Sequence, residues 1–411
     1  MTRTEVSDLK KHFELKELEL NALLEITQSI NNNLPRESLY KIFNFTLRAN
    51  LKLKKLALYV YDEFWACKVN FGTRNNFFKI SPTDSILLAD GISNLEGLDQ
   101  NDPFSEFEKV IPVKHKGNLL GVVLLGGYDL DDYRNGEINL NFIEALSNII
   151  IVAVENKKLA RKELEQKTFQ KELEIARNVQ HFLFPKKLPN NERIKLHSSY
   201  LPHQKVGGDY FDYIPVNDDQ FLICIADVSG KGIPAALLMS NFQASLRTIV
   251  RQTTKFEKII RELNYQILQN SNGESFITFF AALYNKTEKY FKYVNAGHIP
   301  PIFDSEKTGL TQLEKGTTVL GILDTLPFLN VGKIRNIDKF FFFAFTDGLI
   351  ETFDEEDEPF GSERILEIIK DHKDMDLKNL HRIVIDEVTE FKGTRDFNDD
   401  ITLFSCRINF S

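Results

Sequence analysis

The chain has 411 residues, 42% of them hydrophobic and 27% charged, which excludes wholesale disorder and leads us to expect roughly two to three domains. Lys and Arg number 51 against 59 Asp and Glu, a net charge of −8, which argues against a broad nucleic-acid-binding face. Cys67, Cys224 and Cys406 show no metal-ligand spacing or disulfide framework, and no stretch reaches the roughly 18 apolar residues of a membrane span. The charged N-terminus lacks the apolar core of a secretory signal. The chain is therefore read as soluble and cytoplasmic, with no membrane or nucleic-acid partner. Its 34 Phe residues are expected to be core filler.

The first predicted helix runs from about Ser7 to Ile30, with an apolar stripe at Leu9, Phe13, Leu20, Leu23 and Ile30 interrupted by Lys16 and Thr27. Asn31-Asn32-Asn33 and Pro35 stop it. A second helix, Glu37 to about Leu51, leads into predicted strands at Leu56–Tyr61, Ala66–Phe71, Lys109–Val113 and Leu119–Leu125, the last two joined by a Lys116-Gly117-Asn118 turn. A helix over Glu137–Val154 closes this small α/β domain. Its order, with the segment IPVKHKGNLLGVVLLGG, resembles the GAF fold over about residues 20–155. The resemblance implies a sensor for a small-molecule or protein ligand. A ligandless dimerisation module is the alternative, since no cluster marks a particular ligand.

From Glu155 to about Leu183 the sequence is charged and helical, unbroken by Gly or Pro before Pro185. Phe169, Leu173, Ala176, Gln180 and Leu183 follow a 4-3-4-3 spacing, which suits either a coiled-coil seam or packing on the next domain. A homodimer through these helical segments is the expected assembly, with a solvated tether as the plainer alternative. Pro185 to Asn190 marks a boundary.

Beyond it, strands are predicted at Ile194–Tyr200, Tyr210–Pro215, Gln220–Asp227, Phe276–Tyr284, Tyr290–Asn295, Lys339–Thr346 and Ile401–Ile408. Helices are predicted at Ile233–Val250, Phe256–Gln269, Glu363–Lys370 and Leu377–Phe391. Grouped strands and helices, rather than strict alternation, predict an α+β domain of antiparallel sheets with helices packed outside.

Four acidic stretches stand at strand ends: Gly207-Gly208-Asp209-Tyr210-Phe211-Asp212, Ala226-Asp227-Val228-Ser229-Gly230-Lys231-Gly232, Phe345-Thr346-Asp347-Gly348 and Asn398-Asp399-Asp400-Ile401-Thr402. A single such Asp is most simply a turn or cap residue. Four in one domain point to a shared cation, because converging carboxylates repel and hard divalent ions prefer oxygen ligands. With no His or Cys required, Mg²⁺ or Mn²⁺ fits better than Zn²⁺. Strand alternation lets only one of Asp209 and Asp212, and only one of Asp399 and Asp400, face the site. The 216–220 hairpin can bring Asp209 and Asp227 to one end of adjacent strands, with Asp218 and Asp219 as turn residues.

The segments ARNVQHFLFPKKLP, GGDYFDYI, CIADVSGKGIPAALLMS, YVNAGHIPPIFD, FAFTDGLIETFDEEDEPFG and FNDDITLFSCRI resemble, in order, the metal-dependent PPM serine/threonine phosphatases of the protein phosphatase 2C fold, in the bacterial SpoIIE/RsbU branch. The resemblance implies an αββα-layered sandwich and two divalent cations. Asp227 matches the bridging ligand, Val228 the residue lending a backbone carbonyl, Asp347 a ligand of the second metal, and Asp399, rather than Asp400, the last ligand. Asp209 matches the acidic residue near the same site that often acts through metal-bound water, so it is counted with Asp227, Val228, Asp347 and Asp399 as a metal-site residue, and Asp212 remains a weaker candidate. Asp209, Asp227, Asp347 and Asp399 are thus the expected catalytic residues. The resemblance further implies a phosphorylated STAS-type anti-anti-sigma protein as substrate.

The loop LEKGTTVLGILDTLPF departs from the family's Gly-Leu-Pro-Leu-Gly stretch, and no Arg or His carries over as a phosphate clamp. Lys231 is read as a flap or surface lysine, since the P-loop pattern is absent, and His298 as structural. The expected organisation is residues 1–30 as an N-terminal helix, 31–154 as the GAF-like domain, 155–188 as a helical linker and 189–411 as the phosphatase-like domain. A catalytically weak scaffold of the same fold that binds a regulatory partner is the alternative, and a nuclease is disfavoured by charge.

Overall fold

The computed structural model describes residues 3–50, 53–95, 98–127 and 139–410, and the chain divides into two compact units, residues 1–167 and 168–411. In the first, α1 (Arg3–Asn31) and α2 (Arg36–Asn50) precede β1 (Lys55–Asp62), β2 (Phe64–Phe71), a single turn α3 (Asp84–Leu87), β3 (Ser93–Asn94), β4 (Lys109–His115) and β5 (Asn118–Gly126). The strands form one antiparallel sheet in the order β2-β1-β5-β4-β3. The alternation of β1 explains why both faces are filled. Leu56, Leu58 and Val60 pack with Ile26, Phe43, Ile143 and Leu146, while Ala57 and Tyr59 pack with Phe77, Phe104 and Phe107. Lys116 and Gly117, at φ +49° and +84°, form the tight β4–β5 turn, which needs positive φ at both central residues.

The predicted stripe of α1 is corrected. Phe13 and Leu20 are exposed, and the buried face is Glu19, Ala22, Ile26 and Ser29, with Leu23 and Ile30 packed beside it. Periodicity located the helix but not its rotation, because a polar pair, Glu19 and Ser29, sits on the inner face. The side chain of Leu9 lies outside the described residues, as do Leu51 at the expected end of the second helix and Glu137 at the expected start of the closing one.

Helix α4 runs from Leu140 to His181, and the division between the units falls within it. Its first turns bury Ile143, Leu146, Ile150 and Ile151 in the N-terminal unit. At the other end Gln180 is buried, Leu183 and Phe184 join the C-terminal core, and Phe169 is exposed.

The C-terminal unit is built from two sheets. One contains β7 (Tyr210–Pro215), β8 (Gln220–Val228), β9 (Ile277–Asn285), β10 (Tyr290–Ala296), β13 (Gly316–Thr317) and β14 (Gly332–Arg335). The other contains β6 (Ile194–Leu201), β11 (Ile302–Asp304), β12 (Thr311–Gln312), β15 (Lys339–Phe345) and β16 (Ile401–Asn409). Helices α5 (Ile233–Gln252) and α6 (Phe256–Ser271) cover the first sheet, with Phe242 5.1 Å from Phe279. After a single turn α7 (Asp347–Ile350), α8 (Ser362–His372) and α9 (Leu377–Lys392) cover the second, with His381 5.5 Å from Phe343.

The run Lys-Phe-Phe-Phe-Phe-Ala-Phe of β15 makes the layering legible. Phe340 and Phe342 enter the core between the sheets, and Phe341, Phe343 and Phe345 enter the core beneath α8 and α9. A strand buried on both faces reads as a continuous apolar run rather than an alternating one. The result is a mixed α+β unit of helix, sheet, sheet and helix layers. Cys67, Cys224 and Cys406 are free and buried, and among the described residues no helix is long and apolar enough to cross a membrane.

Candidate active site

All the strand-end aspartates lie in the C-terminal unit, at one end of its two sheets. Tyr210 pairs with Ala226 in the β7–β8 hairpin, so Asp209, just before β7, stands across from Asp227, whose carboxylate it contacts. Asp227 itself pairs with Thr278 of β9, and the buried Val228 follows at the end of β8.

From the second sheet, β15 hands over to α7 at Thr346-Asp347, and Asp399-Asp400 precede β16. Thr346 occupies a helix N-cap position without capping. Its hydroxyl instead donates to Asp209 Oδ2 at 2.9 Å, and Thr402 donates to the same oxygen at 2.5 Å. Asp209, only 1% exposed, thus ties the first sheet to the second.

Asp400 serves the loops. Its carboxylate accepts from the backbone N–H of His203 (2.8 Å) and of Gly208 (3.1 Å). That approach leaves no room for side chains around it. A Cβ on Gly207 would sit 1.7 Å from Asp400 Oδ2, and one on Gly348 would sit 2.1 Å from the Asp400 carbonyl oxygen. Asp212 faces away from this cluster. It is fully buried, accepts two bonds from Arg247 at 2.8 and 2.9 Å, and also accepts from Tyr210 Oη. A buried carboxylate needs such a partner, so Asp212 fastens β7 to α5. His298 is buried, with Nδ1 2.9 Å from Thr278 Oγ1 and its backbone N–H donating to Asn295 Oδ1 at 2.8 Å, contacts that secure the β10 end behind Asp227.

The cluster is electrostatically unbalanced. Burial, then Asp347, Asp399 and Asp400, push Asp227 up to about 8. Burial, then Asp227 and Asp400, hold Asp209 well above the usual carboxylate range, against the two threonine hydroxyls. Burial and Asp399 raise Asp347. At the rim, burial and the same two aspartates, Asp347 and Asp399, raise Glu351. The one ammonium that pairs with a member of the cluster among the described residues is Lys231, whose Nζ lies 2.7 Å from Asp399 Oδ2.

This donor set, oxygens only and mutually repelling, fits a hard divalent cation chemically. Among the described residues, however, no three His, Cys, Asp or Glu side chains close around a single point. Thr346, Thr402 and Lys231 were not recognised from sequence as parts of the site. For the two threonines the available signal was a polar residue at an otherwise apolar strand end, one or two positions from a carboxylate; Lys231 carried no such signal.

Residues 217–409 match the family model described as Stage II sporulation protein E (SpoIIE). The chain is similar to phosphoserine phosphatase RsbU of Bacillus subtilis, at 35% identity over 158 residues, covering 38% of this chain and 47% of RsbU. It is also similar to phosphoserine phosphatase RsbP of the same organism, at 23% identity, covering 56% of each chain. The chain thus spans about half the length of these curated relatives. Among solved structures, the SiaA-PP2C domain of Pseudomonas aeruginosa aligns with a TM-score of 0.53 at 20% identity, covering 60% of this chain and 99% of that one.

Proposed function

We propose, from the premise that the C-terminal part of this chain is a SpoIIE-type domain of the PP2C phosphatase fold, that the protein hydrolyses phosphoserine or phosphothreonine monoesters with the help of divalent cations. One observation carries the reading: carboxylates from both sheets gather at Asp227 with too little positive charge among them. Asp227, Asp347, Asp399 and the Val228 carbonyl would hold two cations, Mn²⁺ or Mg²⁺. Bound there, the cations would supply the positive charge that the ester's oxygens and an attacking water both require. Asp209, fixed by Thr346 and Thr402, would belong to the same set as the acidic residue that acts through metal-bound water. Water adds to phosphorus, the bond to the serine oxygen breaks, and that oxygen takes up a proton. Since all three cysteines are buried, a thiolate nucleophile has no part in this scheme.

The substrate we propose is a phosphorylated STAS-type regulator, as the two phosphoserine phosphatase relatives suggest. The N-terminal unit is read as a GAF-like sensor, supported by its helices, antiparallel sheet and β4–β5 hairpin. Continuous helix α4 supports control of the site by that unit, and exposed Leu159, Phe169, Ile175 and Val179 along it support a homodimer.

Hydrolysis of p-nitrophenyl phosphate with Mn²⁺, its loss in EDTA, and comparison with bis(p-nitrophenyl) phosphate test the reading. A phosphatase prefers the monoester and stops in EDTA. A scaffold turns over neither compound, and a nuclease prefers the diester.

A further inference from the structure

Lys231 sits in the turn between β8 and α5, flanked by Gly230 at φ +89° and Gly232 at φ +70°. Residues with side chains rarely adopt such angles. The two glycines reverse the chain tightly enough for the Lys231 side chain to reach the segment ahead of β16. There its Nζ donates to the Asn398 carbonyl oxygen at 2.6 Å and pairs with Asp399 Oδ2 at 2.7 Å. Asp399 Oδ1 meanwhile accepts the Asp400 N–H at 2.8 Å. Both oxygens of Asp399 are thereby engaged, one by an ammonium and one by backbone. In this arrangement the described carboxylates form no group of three around a single point, although Asp399 still adds to the negative field at Asp227 and Asp347.

We infer that Lys231 is a tethered counter-charge that occupies Asp399 in the metal-free protein and gives it up when a divalent cation binds. It is a positioning residue: it acts through Asp399. The inference rests on the reading of the site as a cation centre. An ammonium on a flexible stem is suited to this exchange, because it neutralises a carboxylate without fixing its geometry. The pair is half exposed, with side-chain exposures of 47% and 37%, so the interaction is weak enough for a doubly charged ion to displace it.

The test uses the full chain stripped of metal and titrated with MnCl₂ in a calorimeter, as wild type and as Lys231→Met, followed by the crystal structure of the Mn²⁺-loaded wild type. We expect Lys231→Met to bind Mn²⁺ tighter by roughly two- to fivefold, the scale of an exposed ion pair. We also expect the loaded structure to show Lys231 Nζ no longer in contact with Asp399. A merely structural lysine would weaken binding when removed. Unchanged or weaker binding in Lys231→Met, or a Lys231–Asp399 pair that persists beside a bound cation, overturns the inference alone. A wild type that takes up no Mn²⁺ overturns the cation reading along with it.

Discussion

Burial and three neighbouring carboxylates push Asp227 up to about 8, so the site favours a bound proton or cation over an uncompensated charge. Residue types alone pointed to such a place, because an Asp at an apolar strand end has no core role. They did not reveal Thr346 and Thr402, which share Asp209 although both are far from it in sequence. Two buried histidines behave in the opposite sense. His381 lies between Ser199 Oγ (3.0 Å) and Ser405 Oγ (2.8 Å), and burial, helped by His197, pushes it down to about 3. Burial likewise lowers His298 to about 4. An unfolded histidine protonates near 6.5, so the unfolded chain takes up protons first as pH falls. The stability linked to both residues is fully present above about pH 6.5 and is lost as pH drops toward 4 and 3. His381→Gln, which keeps both serine contacts within reach, should show a smaller fall in melting temperature between pH 7 and pH 5 than wild type. An equal fall would remove His381 from the acid response.

At the scale of elements, the long strands and helices of the C-terminal unit were legible because their apolar runs and periodicities are strong. β7 spans Tyr210–Pro215 and α5 begins at Ile233, as expected. The two-residue strands β12 and β13 and the single turn α7 left no periodic signal, since each spans only about one repeat. The rotation of α1 was misread because Glu19 and Ser29 face inward.

Packing of the end of α4 on the next domain was one reading of the spacing through Gln180 and Leu183, but the particular contact with the site loop was not legible. Gln180 Nε2 donates to the Gly207 carbonyl at 2.7 Å, and the Gly207 N–H donates back to Gln180 Oε1 at 3.3 Å. This places the helix end two residues from Asp209. Gln180→Ala leaves those two backbone groups without partners, at a cost of about 1–3 kcal/mol. If control by the N-terminal unit passes through this contact, removing residues 1–150 should change the phosphatase rate in wild type but not in Gln180→Ala. The same change in both backgrounds would exclude this route.

For the whole molecule, the two sheets of the C-terminal unit are joined at one site because a single buried carboxylate, Asp209, accepts from residues flanking β15 and within β16 while touching Asp227. The layered architecture could be expected from the grouping of strands and helices. The closing of the site could not, since it depends on side chains that meet only once both sheets are packed. The most direct measurement is phosphate release from a phosphoserine-bearing STAS-type protein by wild type and Asp227→Asn, each with Mn²⁺ and with EDTA, alongside their melting curves. We predict release by wild type only with Mn²⁺, and near-complete loss of turnover in a folded Asp227→Asn. Release by Asp227→Asn at the wild-type rate, or by wild type in EDTA, would contradict the account.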